Sequence, residues 1–199
     1  SDHIKAIVRH TNTGVINAKG LTVTGVTAGG KVYDGTAAAA LDFSGAALVG
    51  IISPDVVTIL STSSAGAFAN KAVGAAKAVT VPGIPLGGDD AGNYTVAQPT
   101  GITADITARP VVLSGARGYD GTTSATASIL VFSNQASGDD LALSGTGTLA
   151  SKNVGSQALT LTSGALTGLT LSGGDAANYT TTGGSGSVTI AARALTVTA

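Results

Sequence analysis

The chain has 199 residues, a formal net charge of −1 and 11% charged residues, against roughly 25% in an ordinary globular protein. This balance excludes a basic field for nucleic acid or for an anionic membrane. The absence of cysteine excludes a disulfide framework and a thiolate metal site, while 29 glycines and only 4% aromatics favour short strands and turns over long helices.

The first ten residues, SDHIKAIVRH, lack the long apolar core of a signal peptide. No later segment reaches the ~18 continuous apolar residues of a membrane span, so none is expected in this segment. Short Val/Ile/Thr alternation predicts strands at residues 21–26 (LTVTGV), 55–60 (DVVTIL), 77–84 (KAVTVPGI) and 102–107 (ITADIT). The same pattern returns at 111–115 (VVLSG), 141–145 (LALSG), 158–164 (ALTLTSG) and 186–191 (GSVTIA). Residues 37–41 look helical in isolation, but their second copy, TSATAS, is β-branched and polar, so both copies read as strand or loop. Six to eight short strands per unit suit a sandwich.

Four phrases recur in one order. KVYDGTAAAA from Lys31 is answered by RGYDGTTSAT from Arg117, which places Tyr33 and Tyr119 86 positions apart. GAFANKAVG (66–74) is answered by GTLASKNVG (147–155), and GDDAGNYTV (88–96) by GGDAANYTT (173–181). The phrase DITARPVVLSG (105–115) has partners at 189–199 and at 15–25, which aligns Lys19, Arg109 and Arg193. A fixed period of this kind is the mark of a repeat array. The expected frame is a preceding repeat's tail or a leader over 1–19, one module over 20–108, a second over 109–192, and the start of a next repeat or a final strand over 193–199. Little more than Ala108 and Arg109 separates the two modules, and Pro110 stiffens the joint, so their orientation is expected to be restricted.

The repeated phrases have physical meanings. In Tyr33-Asp34-Gly35 and Tyr119-Asp120-Gly121, the aspartate accepts a backbone N–H two residues on, and the glycine supplies φ > 0. The tyrosine rings read as core anchors whose hydroxyls need partners, with stacking on a sugar as the other reading. Asp90, Asn93 and Tyr94, repeated as Asp175, Asn178 and Tyr179, fit the phrase before a sandwich strand whose Tyr hydroxyl ties a corner back to the backbone.

The ordered set of Lys31-Val-Tyr-Asp-Gly-Thr36, NKAVG at Asn70, GNYTV at Gly92 and the closing ITARP resembles the YDG-type repeats of large bacterial surface adhesins, related to MBG repeats. The likeness covers nearly the whole chain after about Val15. It implies an extracellular location on the bacterial surface. It also implies a filamentous-haemagglutinin-like protein exported by two-partner secretion, whose tandem modules form a stalk or add weak adhesive contacts. The expected architecture is two tandem small Ig-like β-sandwich modules end to end in an elongated rod, with β-grasp-like modules as the alternative.

Reactive chemistry is sparse. His3 and His10 are the only histidines, no Cys nucleophile exists, and every side-chain carboxylate is an Asp. The pairs Asp89/Asp90 and Asp139/Asp140 read as turn formers ahead of paired acids. No cofactor is expected; calcium is the one left open, with ligands from Asp55, Asp89, Asp90, Asp139, Asp140 or Asp175, although no EF-hand-type loop is present. Lys71 and Lys152, beside Asn70 and Asn153, are candidates for a Lys–Asn or Lys–Asp crosslink. Asn93 and Asn178 match the N-x-[ST] pattern by coincidence of the NYT phrase. The expected function is therefore non-catalytic: stalk modules projecting an adhesive region for attachment and biofilm formation, or else glycan-binding modules acting by avidity. Adjacent repeats of the same chain are the expected partners, with an exopolysaccharide or a host or matrix glycan as a further class. A monomer is expected.

Overall fold

The computed structural model describes residues 15–60 and 65–196. Its secondary structure is β throughout, interrupted among the described residues only by three single-turn 3₁₀ helices, Ala91–Asn93, Ala127–Ile129 and Ala176–Asn178. The β-grasp alternative requires an α-helix laid on the sheet, and none is found among the described residues.

Each repeat is built around a parallel pair formed by its first strand and a strand that follows its NY phrase. In the first repeat Lys19–Thr24 pairs in parallel with Tyr94–Ala97, with Lys19 opposite Tyr94, and antiparallel with Ala47–Val49. In the second, Arg109–Gly118 pairs in parallel with Tyr179–Ala191, with Arg109 opposite Tyr179, and antiparallel with Leu130–Phe132. Most of the remaining pairings correspond as well; the hairpin of Leu161–Thr162 with Ala165–Leu166 is found in the second repeat without a counterpart among the first repeat's described pairings. Thr103–Thr107 lies between Lys31–Val32 and Gly74–Thr80, as the end of Tyr179–Ala191 lies between the end of Arg109–Gly118 and Gly155–Ala158. Ala39 faces Gly66 as Ala125 faces Gly147.

The two repeats thus share one topology, with a difference of continuity. The second repeat runs as single long strands what the first divides into Lys19–Thr24, Thr27–Ala28 and Lys31–Val32, or into Tyr94–Ala97 and Thr103–Thr107. The first repeat carries Gly25-Val26 and Pro99-Thr100-Gly101 at those breaks, and proline cannot donate to a ladder. The predicted strand at 55–60 is only Thr58–Ile59, because backbone around Asp55 is held in turns instead. Conversely Gly66–Phe68 and Leu169–Ser172 are strands that period-two reading missed.

Burial alternates along the strands, as in Thr103–Thr107, where only Ala104 and Ile106 turn inward. Only Ala108 separates Thr103–Thr107 from Arg109–Gly118. The principal core does not stop at that residue: Tyr33, Phe68 and Ile106 belong to one contiguous apolar cluster with Val111, Leu113 and Val188. Two smaller clusters, around Val23 with Ile84 and around Leu21 with Val57, lie within the first repeat. End-to-end modules with separate cores would be joined only by chain; here apolar packing is continuous through the joint.

Candidate functional site: the junction between the repeats

The YDG turns are local structures. Asp34 Oδ1 accepts the Thr36 amide at 2.9 Å, and Asp120 Oδ1 accepts the Thr122 amide at 2.9 Å. Gly35 and Gly121 take φ of 83° and 80°, conformations costly for any residue with a Cβ. A cation three residues before each aspartate closes the turn. Lys31 Nζ lies 2.8 Å from Asp34, and Arg117 contacts Asp120. The hydrogen bond from Lys31 holds the Asp34 carboxyl down at about 2. Lys31 and Arg117 thus do the same work, so their interchange between repeats carries no functional contrast.

The second phrase works over a longer range. The Tyr94 hydroxyl accepts the Ile52 amide at 3.1 Å and donates to Asp55 at 2.7 Å. The Tyr179 hydroxyl accepts the Ala136 amide at 2.8 Å and donates to Asp139 at 2.8 Å. Asp90 and Asp175 accept the amides of Val56 and Asp140 at 2.8 and 2.9 Å. The tyrosine hydroxyl is thus tied to backbone at Ile52 and at Ala136, in loops 42 and 43 residues back in sequence. The loops at 52–56 and 136–140 supply both an amide for the hydroxyl oxygen and a carboxylate for its proton.

These local devices meet at the joint. Tyr33 reaches across it and donates to Asp139, with oxygen distances of 3.0 and 2.8 Å. Lys71 approaches the same carboxylate at 2.6 Å and Asp175 at 3.6 Å. The Asn178 side-chain oxygen accepts the Val73 amide at 3.0 Å. The rings of Tyr33 and Tyr179 stand edge to face, 5.5 Å apart at 71°, an arrangement worth ~0.5–1.5 kcal/mol beyond area burial. A Cβ on Gly35 would come within 2.8 Å of the Ala136 methyl, so the YDG glycine also permits the close approach of the second repeat.

The Asp139 side chain is 0% exposed. Burial pushes its pKa up, but hydrogen bonds from Lys71, Tyr179 and Tyr33 outweigh burial and hold it below the ordinary aspartate value. The Lys71 ammonium is raised by the same contact with Asp139. Burial, and then the hydrogen bond to Asp139, raises Tyr33; burial raises Tyr179 as well. All four groups are thereby held in their neutral-pH forms. Such a pair is a tie and a poor acid–base couple, because neither partner exchanges a proton near pH 7. Amide formation between Lys71 and Asp139 would need the neutral amine and the protonated acid, the opposite of both directions. Asn70, the other crosslink partner considered, accepts from Lys77 at 2.6 Å.

Of the residues singled out in the sequence, Tyr33, Gly35, Asp175, Asn178 and Tyr179 therefore meet at the junction. Asp34, Asp120 and Gly121 stay in their own turns, and Asp90, Asn93, Tyr94 and Tyr119 lie away from the joint. Lys71, read as a crosslink candidate, and Asp139, read as a turn former or a calcium ligand, meet at the junction too, whereas Ala136 and Val73 were not singled out. A signal for Asp139 existed: Ile52-Ser-Pro-Asp55 and Ala136-Ser-Gly-Asp139 hold aspartate at one aligned place. Among the described residues no group of three or more His, Cys, Asp or Glu is placed to hold a metal ion. His3 and His10 lie outside the described residues. No helix among the described residues is long and apolar enough to cross a membrane.

Comparison with protein families matches the YDG domain twice, over residues 17–101 and 103–189. Comparison with curated proteins and with solved structures finds no match.

Proposed function

This chain belongs to the YDG-domain family, which it carries as two tandem copies, and we propose that it is a length of stalk in an extracellular adhesin on a bacterial surface. In this reading the modules catalyse nothing and hold no cofactor. They set the distance between the cell and an adhesive region that attaches to other cells or surfaces and supports biofilm.

The observation that carries the reading is the Asp139 junction. A one-residue connection leaves the repeats little freedom, and a buried carboxylate with three donors fixes their relative orientation. Ordinary inter-domain contacts permit motion unless they are large or well fixed; a spacer needs the second kind.

Small-angle scattering of the chain tests the mechanical part. An elongated profile with two lobes in line is expected, and a compact profile with the repeats side by side would sink it. Replacing the two modules in the parent protein by unrelated β-modules of equal length should preserve attachment, while deleting them should reduce it. If the replacement abolishes attachment, the modules themselves recognise something, and a glycan array becomes the deciding measurement.

A further inference from the structure

The junction uses two different faces, one from each repeat. The first repeat contributes Tyr33, Gly35, Lys71 and Val73; the second contributes Ala136, Asp139, Asn178 and Tyr179. Because the repeats share one topology, each also carries the face that the other used. The counterparts of the first set are Tyr119, Gly121, Lys152 and Val154, on the second repeat. The counterparts of the second set are Ile52, Asp55, Asn93 and Tyr94, on the first.

Both spare faces are built but uncovered. Lys152 is exposed and makes no ion pair among the described residues, whereas Lys71 is held by Asp139. Val154 is 56% exposed, whereas Val73 packs on the core. A Cβ on Gly121 would meet nothing within 4 Å, where one on Gly35 meets Ala136. On the opposite face Asn93 is exposed and Asn178 buried, and Ile52 is 54% exposed where Ala136 is buried. Asp55 is already oriented by Tyr94, as Asp139 is by Tyr179, but it lacks the lysine and the second tyrosine. Chain connectivity agrees: Leu195, aligned with the buried Leu21 and Val111, is 90% exposed beside Tyr119 and Val154.

We propose that these are the two complementary halves of the same junction, and that each binds a further YDG module in line. Asp55 takes the tyrosine and lysine of a preceding module. Tyr119 and Lys152 take the aspartate of a following one. The contact is heterologous and does not close on itself, so it propagates along a chain of modules. This inference stands on the junction geometry and holds whatever the array carries at its tip.

The test joins two chains in register, residues 1–192 of one followed directly by residues 19–199 of the next, so that one new junction forms between Lys152 of the first and Asp55 of the second. Amide exchange at Val154 should slow by at least about tenfold relative to the single chain, as expected for an amide newly bonded to Asn93 of the next copy. Lys152→Ala and Tyr119→Phe should leave the urea midpoint of the single chain unchanged and lower that of the joined chain. Both changes remove surface groups, so the single chain reports that each variant folds. Unchanged exchange at Val154 in the joined chain, or equal effects of the substitutions in both chains, would overturn the proposal. Neither result would bear on whether the protein is an adhesin.

Discussion

Asp139 of the second repeat receives the hydroxyl of Tyr33 from the first, with oxygen distances of 3.0 and 2.8 Å, across 106 positions of sequence. The same carboxylate takes Tyr179 from its own repeat at 2.8 Å and Lys71 from the other at 2.6 Å. One buried charge thus ties together two units that otherwise share a peptide bond, an apolar seam, the Val73–Asn178 hydrogen bond and the longer Lys71–Asp175 contact.

Replacing that charge should be costly. Asp139→Ala leaves the O–H donors of Tyr33 and Tyr179 without their acceptor and Lys71 without its nearest partner, and loss of one side of a buried polar cluster costs on the order of 3 kcal/mol. Urea denaturation should show this loss and a less cooperative transition, because the repeats would unfold less in concert. A single sharp transition at the parental midpoint would show that the contact contributes nothing.

The two YDG tyrosines offer an internal control. Tyr33→Phe removes one hydroxyl from the Asp139 cluster and should cost ~1 kcal/mol or somewhat more. Tyr119→Phe, the same change at the aligned position, removes a hydroxyl with no partner among the described residues and should cost about nothing. Equal losses would mean that the ring alone matters at both places.

The two YDG glycines separate strain from contact. Both have φ near +80°, so alanine at either should cost ~1–2 kcal/mol through backbone strain. Gly35→Ala adds a collision with the Ala136 methyl, 2.8 Å from the new Cβ, while Gly121→Ala adds none. Thermal unfolding of both variants should therefore show Gly35→Ala to be the more damaging.

Stability should fall on both sides of neutrality, each for a stated reason. Asp139 and Asp34 have folded pKa values below the aspartate value of 3.8, Asp34 at about 2. A depressed pKa means that the unfolded chain binds protons first. The contribution is therefore complete above about pH 4 and is lost as pH falls through the folded values. Tyr33 and Tyr179 are raised above 10.0, so the folded state resists their ionisation and stability declines as pH rises past 10. Urea midpoints followed from pH 7 down to 2 should drop, and the drop should be shallower in Asp139→Asn, which has no charge to lose.

Much of this was legible along the chain. The duplicated phrases fixed two units of like build, and Asp34 with Gly35 could be read as a turn because its bonds span two residues. The order of residues from Asp90 to Tyr94 likewise announced a tyrosine with a fixed partner. Strand limits were less legible: around Asp55 the pattern DVVTIL reads as a strand, but amide bonds to Asp90 and within the loop hold most of it in turns.

Sequence by itself determined the all-β class, the repetition and the local turns, because these follow from periodicity and from bonds between near neighbours. Only the tertiary structure decided which copy of each residue is used. Tyr33 and Tyr119, or Asp139 and Asp55, are nearly equivalent in the text of the chain, yet one of each pair is buried in the junction and the other is half-buried outside it. That choice depends on which faces the one-residue joint at Ala108 brings together, a relation between surfaces far apart in sequence that no local pattern encodes.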